Sequence, residues 1–241
     1  MKIINQEKFI QKKTSDTLVI LGSGSSINKI NEEGWKKISE VDSVGFNWFC
    51  HHSFGPTFYM IREQANTKMR SQGTETKKHL IEDLRKESYS LTCLIVHNTA
   101  KHSPKSYNYA KHHSIFSQNG IIVKDTKGRL RIAQFQKDIF DKGVFHGKCS
   151  LNNVLHIAVY LKYRKIFFAG VDLHNSQYFW LGSKVTRSNI KQKGLNRNSR
   201  HPVAKYVIPA IKKVKKSYKI EMYTLNQTSL LKKIMPYKEI R

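Results

Sequence analysis

The chain has 241 residues, 39% of them hydrophobic and 11% aromatic, enough for a sizeable core and too apolar for a disordered polyelectrolyte. Its 43 Lys and Arg against 17 Asp and Glu give a net charge of +26, which predicts attraction to nucleic acid, an acidic membrane surface or an anionic substrate. No apolar run of about 18 residues is present, which excludes a spanning helix, and residues 1–14 are mixed and charged, without the apolar centre of a signal peptide. Cys50, Cys93 and Cys149 are far apart, odd in number and form no C-x-x-C, so they read as buried apolar residues in a reducing cytosol.

The first strong signal is Thr17-Leu-Val-Ile-Leu-Gly22-Ser-Gly-Ser-Ser-Ile27. Leu18 to Leu21 read as a strand covered on both faces, as in a parallel sheet. Gly22 and Gly24 permit a tight turn and close backbone approach, and Ser25 or Ser26 suits the cap of a helix starting near Ile27. Amides at such a helix start suit a phosphate, so the turn predicts a site for a nucleotide or nucleotide-sugar. A dinucleotide fingerprint places a third glycine where Ile27 stands. Asp42 lies at roughly the 20-residue distance of a ribose-binding acid. It precedes the next apolar stretch, Val44 to Phe49, instead of ending it, which argues against NAD.

Further strands are expected at Ser43–Asn47, Thr57–Ile61, Ser90–Val96, Lys165–Val171 and Lys219–Leu225, with helical patterns at Asn31–Ser39, Thr74–Lys86 and Ser150–Tyr163. This alternation predicts one α/β domain over residues 1–241, Rossmann-like, with a mainly parallel sheet and helices on both faces. Residues 98–146 are polar, His-rich and without clear pattern, as an insertion or small subdomain would be. His51–His52 and His112–His113 are adjacent pairs without companion acid or cysteine ligands, so no metal is expected. Residues 173–220 carry twelve Lys or Arg and no acid. Within them, 181–200 has two glycines and little apolar content, which predicts a mobile basic lid loop. His201-Pro202 then begins a helix. Its Val203, Val207, Ile211, Val214 and Tyr218 share one face, and Lys212, Lys213, Lys215 and Lys216 crowd its far end.

Lys165-Ile-Phe-Phe-Ala-Gly-Val-Asp172-Leu-His174 is a second buried strand ending in polar groups. Ligands of parallel sheets bind beyond the carboxyl ends of strands. Gly22, Asn47, Asp172 and His174 fall at such ends, and Ser150 opens the helix before this strand, so these residues are expected to line one crevice.

Val19-Ile-Leu-Gly-Ser-Gly-Ser-Ser26 resembles the opening glycine turn of the bacterial CMP-sialic acid sialyltransferases, glycosyltransferase family 42. Ser150 through Asp172 is similar to that family's central helix and strand, and Lys219-Ile-Glu-Met-Tyr-Thr-Leu-Asn-Gln-Thr-Ser-Leu-Leu231 to its C-terminal strand and turn. The resemblance implies metal-independent, inverting transfer of a sugar from a CMP donor to a saccharide or glycolipid hydroxyl, with no cofactor. It implies His201 as general base, Ser23, Gly24 and Ser26 in donor contact, and Asn47 on the nucleotide or sugar. Ser150 would meet the sugar carboxylate, Asp172 would shape the nucleotide pocket, and His174 and Tyr178 would serve the leaving phosphate.

The chain departs from the family at Ser23, where an asparagine is expected, and at Ser25, where a proline is. Gly147 stands for an arginine, with Lys148 nearby, and His174 for the first leaving-group tyrosine. These positions surround the donor and widen it from sialic acid to related 2-keto acid sugars.

The expected setting is the cytoplasm, peripheral at the inner face of the cell membrane, where the charge meets anionic lipid and a lipid-linked saccharide. Homo-oligomerisation is left open. The alternatives are a basic nucleic-acid-binding protein and a nucleotide-binding relative without turnover. The first is disfavoured because no recognition helix, zinc or RNA-stacking motif accompanies the charge.

Overall fold

The computed structural model describes residues 1–62, 82–98, 118–126, 135, 138–147, 149–173, 178–180 and 204–240. Nine strands are described: β1 (Lys2–Ile3), β2 (Thr17–Leu21), β3 (Asp42–Phe46), β4 (Phe58–Arg62), β5 (Cys93–Asn98), β6 (Asn119–Thr126), β7 (Val144–Phe145), β8 (Lys165–Ala169) and β9 (Glu221–Thr224). All pair in parallel, in the order β1-β6-β5-β4-β3-β2-β8-β9, with β7 on the far end of β6. The chain steps outward from β2 to β6 and returns on the opposite side of β2 for β8 and β9. The order therefore reverses between β2 and β8, the position where open parallel sheets bind ligands.

The continuous apolar run of β2 reflects burial on both faces. Leu18 and Ile20 join one core with Phe9 of α1 (Gln6–Ile10), Val154 and Ala158 of α3 (Ser150–Tyr160), and Val207 and Ile211 of α4 (Ala204–Tyr218). Val19 and Leu21 join the other with Ile38 of α2 (Glu32–Ser39), Phe49 and Tyr59. Helices thus cover both faces, as expected. α2 is capped by the Asn31 side chain, which accepts from the Gly34 amide. It carries Glu32 and Glu33 in its first turn and Lys36 and Lys37 in its last, complementing the helix dipole at both ends. α3 is buried from Leu151 to Ala158, which explains its apolar character on most sides.

Several boundaries differ from expectation. No α-helix starts near Ile27. Ser25–Lys29 is a five-residue 3-10 turn whose N-cap, Gly24, has no side chain to cap it, and the Ser26 hydroxyl donates to Asp172 instead. The helix expected to reach Tyr163 ends at Tyr160, since Lys162 takes φ 57°. β5 starts at Cys93 instead of Ser90, because the Thr92 hydroxyl is drawn to the Pro56 carbonyl. Within 98–146, the described residues supply β6 and β7 to the sheet itself. Thr74–Lys86 up to residue 81, His112–His113, the 181–200 loop and residues 201–203 lie outside the described residues.

Asp42 is 1% exposed at the amino end of β3. Its carboxylate accepts from the Thr14 amide and hydroxyl, the Ser15 amide and the Tyr163 hydroxyl, at 2.7–3.1 Å. It ties segments together at the edge opposite the crevice.

Candidate functional site

The carboxyl ends of β2 and β8 continue past the sheet as two glycine-bearing turns. The Gly22 amide donates to the Ala169 carbonyl at 2.8 Å and the Gly24 amide to the Gly170 carbonyl at 2.8 Å. Gly170 has φ 63°, a left-handed conformation that favours glycine. A Cβ on Gly22 would lie 2.4 Å from the Gly170 carbonyl oxygen, so backbone meets backbone where a side chain cannot fit.

Asp172 locks this junction. It is 4% exposed, and its carboxylate accepts from the Ser26 amide at 3.1 Å, from the Ser26 hydroxyl, and from Asn226 Nδ2 at 2.7 Å. The Leu230 amide donates to the Asp172 carbonyl, and the Ser229 hydroxyl to that of Val171. Three distant segments are thereby joined, and Asn226 and Ser229 enter the site as members the sequence reading did not single out. One expectation is corrected here. The amides of Gly22, Gly24 and Ser26 are engaged by the protein, so the turn is not an open amide cradle for phosphate. Its half-buried members are Ser23, Gly24 and Ser25.

Asn47 follows β3 and is exposed, with φ 56°, a left-handed conformation that asparagine tolerates better than most residues. Its carbonyl accepts from the hydroxyl of the buried Tyr59, which fixes the backbone beneath the side chain. Ser150 is the first residue of α3, half-buried. Beside it lies a buried polar group that the sequence reading missed. His146 Nδ1 is 2.8 Å from Asn153 Oδ1, and the fully buried His97, near the carboxyl end of β5, has its ring 5.9 Å from that of His146. Asn152 Oδ1 and Asn153 Nδ2 are buried and find no partner among the described residues. The available signal was His97-Asn98 directly after an apolar strand, the same placement that singled out His174.

Tyr178 bridges to Gly24, the Phe179 amide donates to the Ser23 carbonyl at 3.2 Å, and Asn28 Nδ2 donates to the Phe179 carbonyl at 2.9 Å. The structure therefore brings Tyr178 to the glycine turn, whereas His174 and His201 lie outside the described residues. Next to this segment, His51 Nδ1 is 2.6 Å from Asp83, whose other oxygen is 2.5 Å from Lys86 Nζ. The Cys50, His51 and Asp83 donor atoms all lie within 4.8 Å of one another, so His51 does have acid and cysteine neighbours, contrary to expectation. Burial pushes the Cys50 thiol up to about 12, and the Asp83 carboxylate lies between the His51 imidazole and the Lys86 ammonium. The trio therefore reads as an ion pair beside a neutral thiol.

His52 packs 4.4 Å from Trp35 and 5.2 Å from Phe49, and its Nδ1 accepts from the Phe54 amide. Burial lowers its pKa below the ordinary 6.5. The folded state thus favours neutral His52, while the unfolded chain binds a proton once pH falls below about 6.5. The His52 contribution to stability is complete above that pH and is lost as pH falls towards the lower folded-state pKa. Thermal unfolding from pH 7.5 to 5 should show a decline that is reduced in His52→Asn.

No protein-family model and no curated protein sequence matches the chain. Solved structures do. The sialyltransferase Cst-II in complex with CMP and a trisaccharide acceptor is similar at 17% identity and TM-score 0.50, over 93% of this chain and 87% of that one. The monofunctional alpha-2,3-sialyltransferase Cst-I from Campylobacter jejuni is similar at 17% identity and TM-score 0.52, over 100% of this chain and 84% of that one. A Cst-II variant in complex with CMP is similar at 16% identity and TM-score 0.51, over 93% and 87%. At these identities the likeness establishes the fold.

Proposed function

We propose that this protein is an inverting, metal-independent glycosyltransferase that moves sialic acid or a related 2-keto acid sugar from a CMP donor to a saccharide hydroxyl. The observation that carries this reading is the junction of β2 and β8. Gly22, Gly24, Gly170 and Asp172 build a rigid floor at the reversal of strand order, in a fold similar to sialyltransferases solved with CMP. On that floor Ser23 and Gly24 face the donor, and Ser26 and Asp172 hold the turn's shape. Asn47 engages the nucleotide or sugar, and the Ser150 hydroxyl at the start of α3 meets the sugar carboxylate.

In the transfer, the acceptor oxygen forms its bond to the anomeric carbon as the bond to the CMP phosphate breaks. The acceptor proton passes to the imidazole of His201, which acts as general base. CMP leaves with the bonding electron pair, and hydrogen bonds from His174 and Tyr178 stabilise the developing charge. The basic surface suits a cytoplasmic enzyme peripheral to an anionic membrane and acting on a lipid-linked acceptor.

The test is a ligand-induced thermal shift with CMP against UMP, GDP and NAD, on the parent and on Asn47→Ala. Millimolar CMP over a micromolar site stabilises by about 4 kcal/mol, a clear shift that Asn47→Ala should weaken. Absence of any CMP shift would overturn the reading, and steeply salt-dependent RNA binding would then favour the nucleic-acid alternative.

A further inference from the structure

Beside the glycine turn stands a run of rings of which the proposed chemistry uses only the Tyr178 hydroxyl. Tyr178 stacks on Trp180 at 4.5 Å, Trp180 meets His51 at 4.7 Å, and His51 stacks on Trp48 at 5.5 Å with planes 3° apart. Trp48 and Trp180 also meet directly at 6.0 Å. Each of the four is half-buried, so the group presents a surface while holding itself together. The chain has three tryptophans, and two of them stand here. The group is anchored at both ends. The 178–180 segment is hydrogen-bonded to Ser23 and Asn28, and His51 is held by Asp83. It also adjoins Asn47, the residue before Trp48.

The chemistry of this surface is distinctive in a chain of net charge +26. Neither indole is charged, and the ring edge of His51 that meets a carboxylate is turned to Asp83. An anionic ligand gains nothing from it that lysines elsewhere do not offer better. A neutral ligand with flat C–H faces gains desolvation and dispersion. The planes of Trp180 and His51 are tilted by 52°, and those of Trp48 and Trp180 by 50°. The surface is therefore faceted and wider than a single base, unlike a slot that sandwiches one nucleobase.

We propose that Trp48, His51 and Trp180 form the acceptor subsite and stack against the apolar faces of a neutral pyranose chain. Tyr178 couples that wall to the glycine turn. This assignment rests on the glycosyltransferase reading and adds the acceptor class to it. It predicts that acceptor recognition begins with an uncharged sugar.

The test uses an array of neutral glycans ending in galactose, glucose, N-acetylglucosamine or N-acetylgalactosamine. It is run on the parent, Trp180→Leu and Trp48→Leu, with the CMP thermal shift measured in parallel. The expected result is binding of at least one neutral glycan, quenching of tryptophan emission by that glycan, and affinity at least about tenfold weaker in each variant. The CMP shift should persist. Trp180→Phe keeps a ring in place and should show an intermediate loss, which separates lost stacking from lost folding. A CMP shift without any neutral glycan bound would overturn the wall as acceptor subsite while leaving the donor reading intact. Loss of the CMP shift in folded Trp180→Phe would overturn it too, by assigning the rings to the base. Glycan binding without a CMP shift would support the wall and overturn the donor.

Discussion

Asp172→Ala is expected to remove about 3 kcal/mol or more of stability and to abolish the CMP-induced shift. Three donors converge on this carboxylate: the Ser26 amide, the Ser26 hydroxyl and Asn226 Nδ2. Ser26 is 7% exposed and Asn226 6%, so alanine would leave these donors buried with little access to water, at about 1–3 kcal/mol for each buried polar group left unmade. Against a total stability of about 5–15 kcal/mol for a domain, that is a large fraction. Asp172→Asn keeps the shape and one acceptor oxygen but turns an NH2 towards donors, so its loss should be intermediate. Urea denaturation at constant slope measures both. A loss within about 0.5 kcal/mol of zero, the usual range for surface substitutions, would refute the account of Asp172 as the lock of the junction.

The central strands were legible because both of their faces are buried. Leu18–Leu21 and Ile166–Ala169 leave no ambiguity of period, since every position is apolar. The edge strand β9 was legible too, within Lys219–Leu225, but the elements at the other edge were not. β1 is two residues long, and β6 interrupts its apolar alternation with Lys124 and Asp125 before pairing with β7. The cap was misread for a related reason. Ser25, Ser26 and Asn31 all suit a helix start by local chemistry. Ser26 is instead taken by a carboxylate 146 residues away in sequence, and Asn31 alone caps a helix. A contact of that range leaves no mark in a local window.

The same division runs through the site. Gly22, Asn47 and Asp172 could be placed because parallel sheets gather the carboxyl ends of their strands on one edge. That rule gives position without pairing. It assigned Asp172 to a pocket wall, whereas the carboxylate itself is occupied in holding the glycine turn. The ring cluster was hidden for a different reason. Trp48, His51 and Trp180 lie in apolar or loop-like stretches and meet only because the 178–180 segment pairs with Ser23 and Gly24. Nor could local pattern join His97 to His146, since one lies near the end of β5 and the other directly follows β7.

Gly170→Ala is the second large effect expected, and it is informative in combination with Gly22→Ala. Gly170 has φ 63°, and a Cβ there would lie 2.5 Å from Ile27 Cγ1 and 2.7 Å from the Gly22 carbonyl oxygen. The left-handed conformation costs a non-glycine residue about 1–2 kcal/mol, and overpacking adds about 1–3 kcal/mol, so a loss of about 2–5 kcal/mol follows. Gly22→Ala carries no such backbone cost. Its Cβ would press on the Gly170 carbonyl at 2.4 Å and on Val171 Cγ2 at 3.0 Å, for about 1–3 kcal/mol. Both methyl groups enter the same gap between the ends of β2 and β8. Once one substitution has forced the turns apart, the second meets less resistance, so the double variant should lose less than the two single losses together, by at least about 0.5 kcal/mol. Urea midpoints for the four proteins of this cycle decide the matter. Additive losses would mean that the two turns yield independently. The floor beneath the donor would then be two separate loops instead of one junction, and a change in one would not be felt by the other.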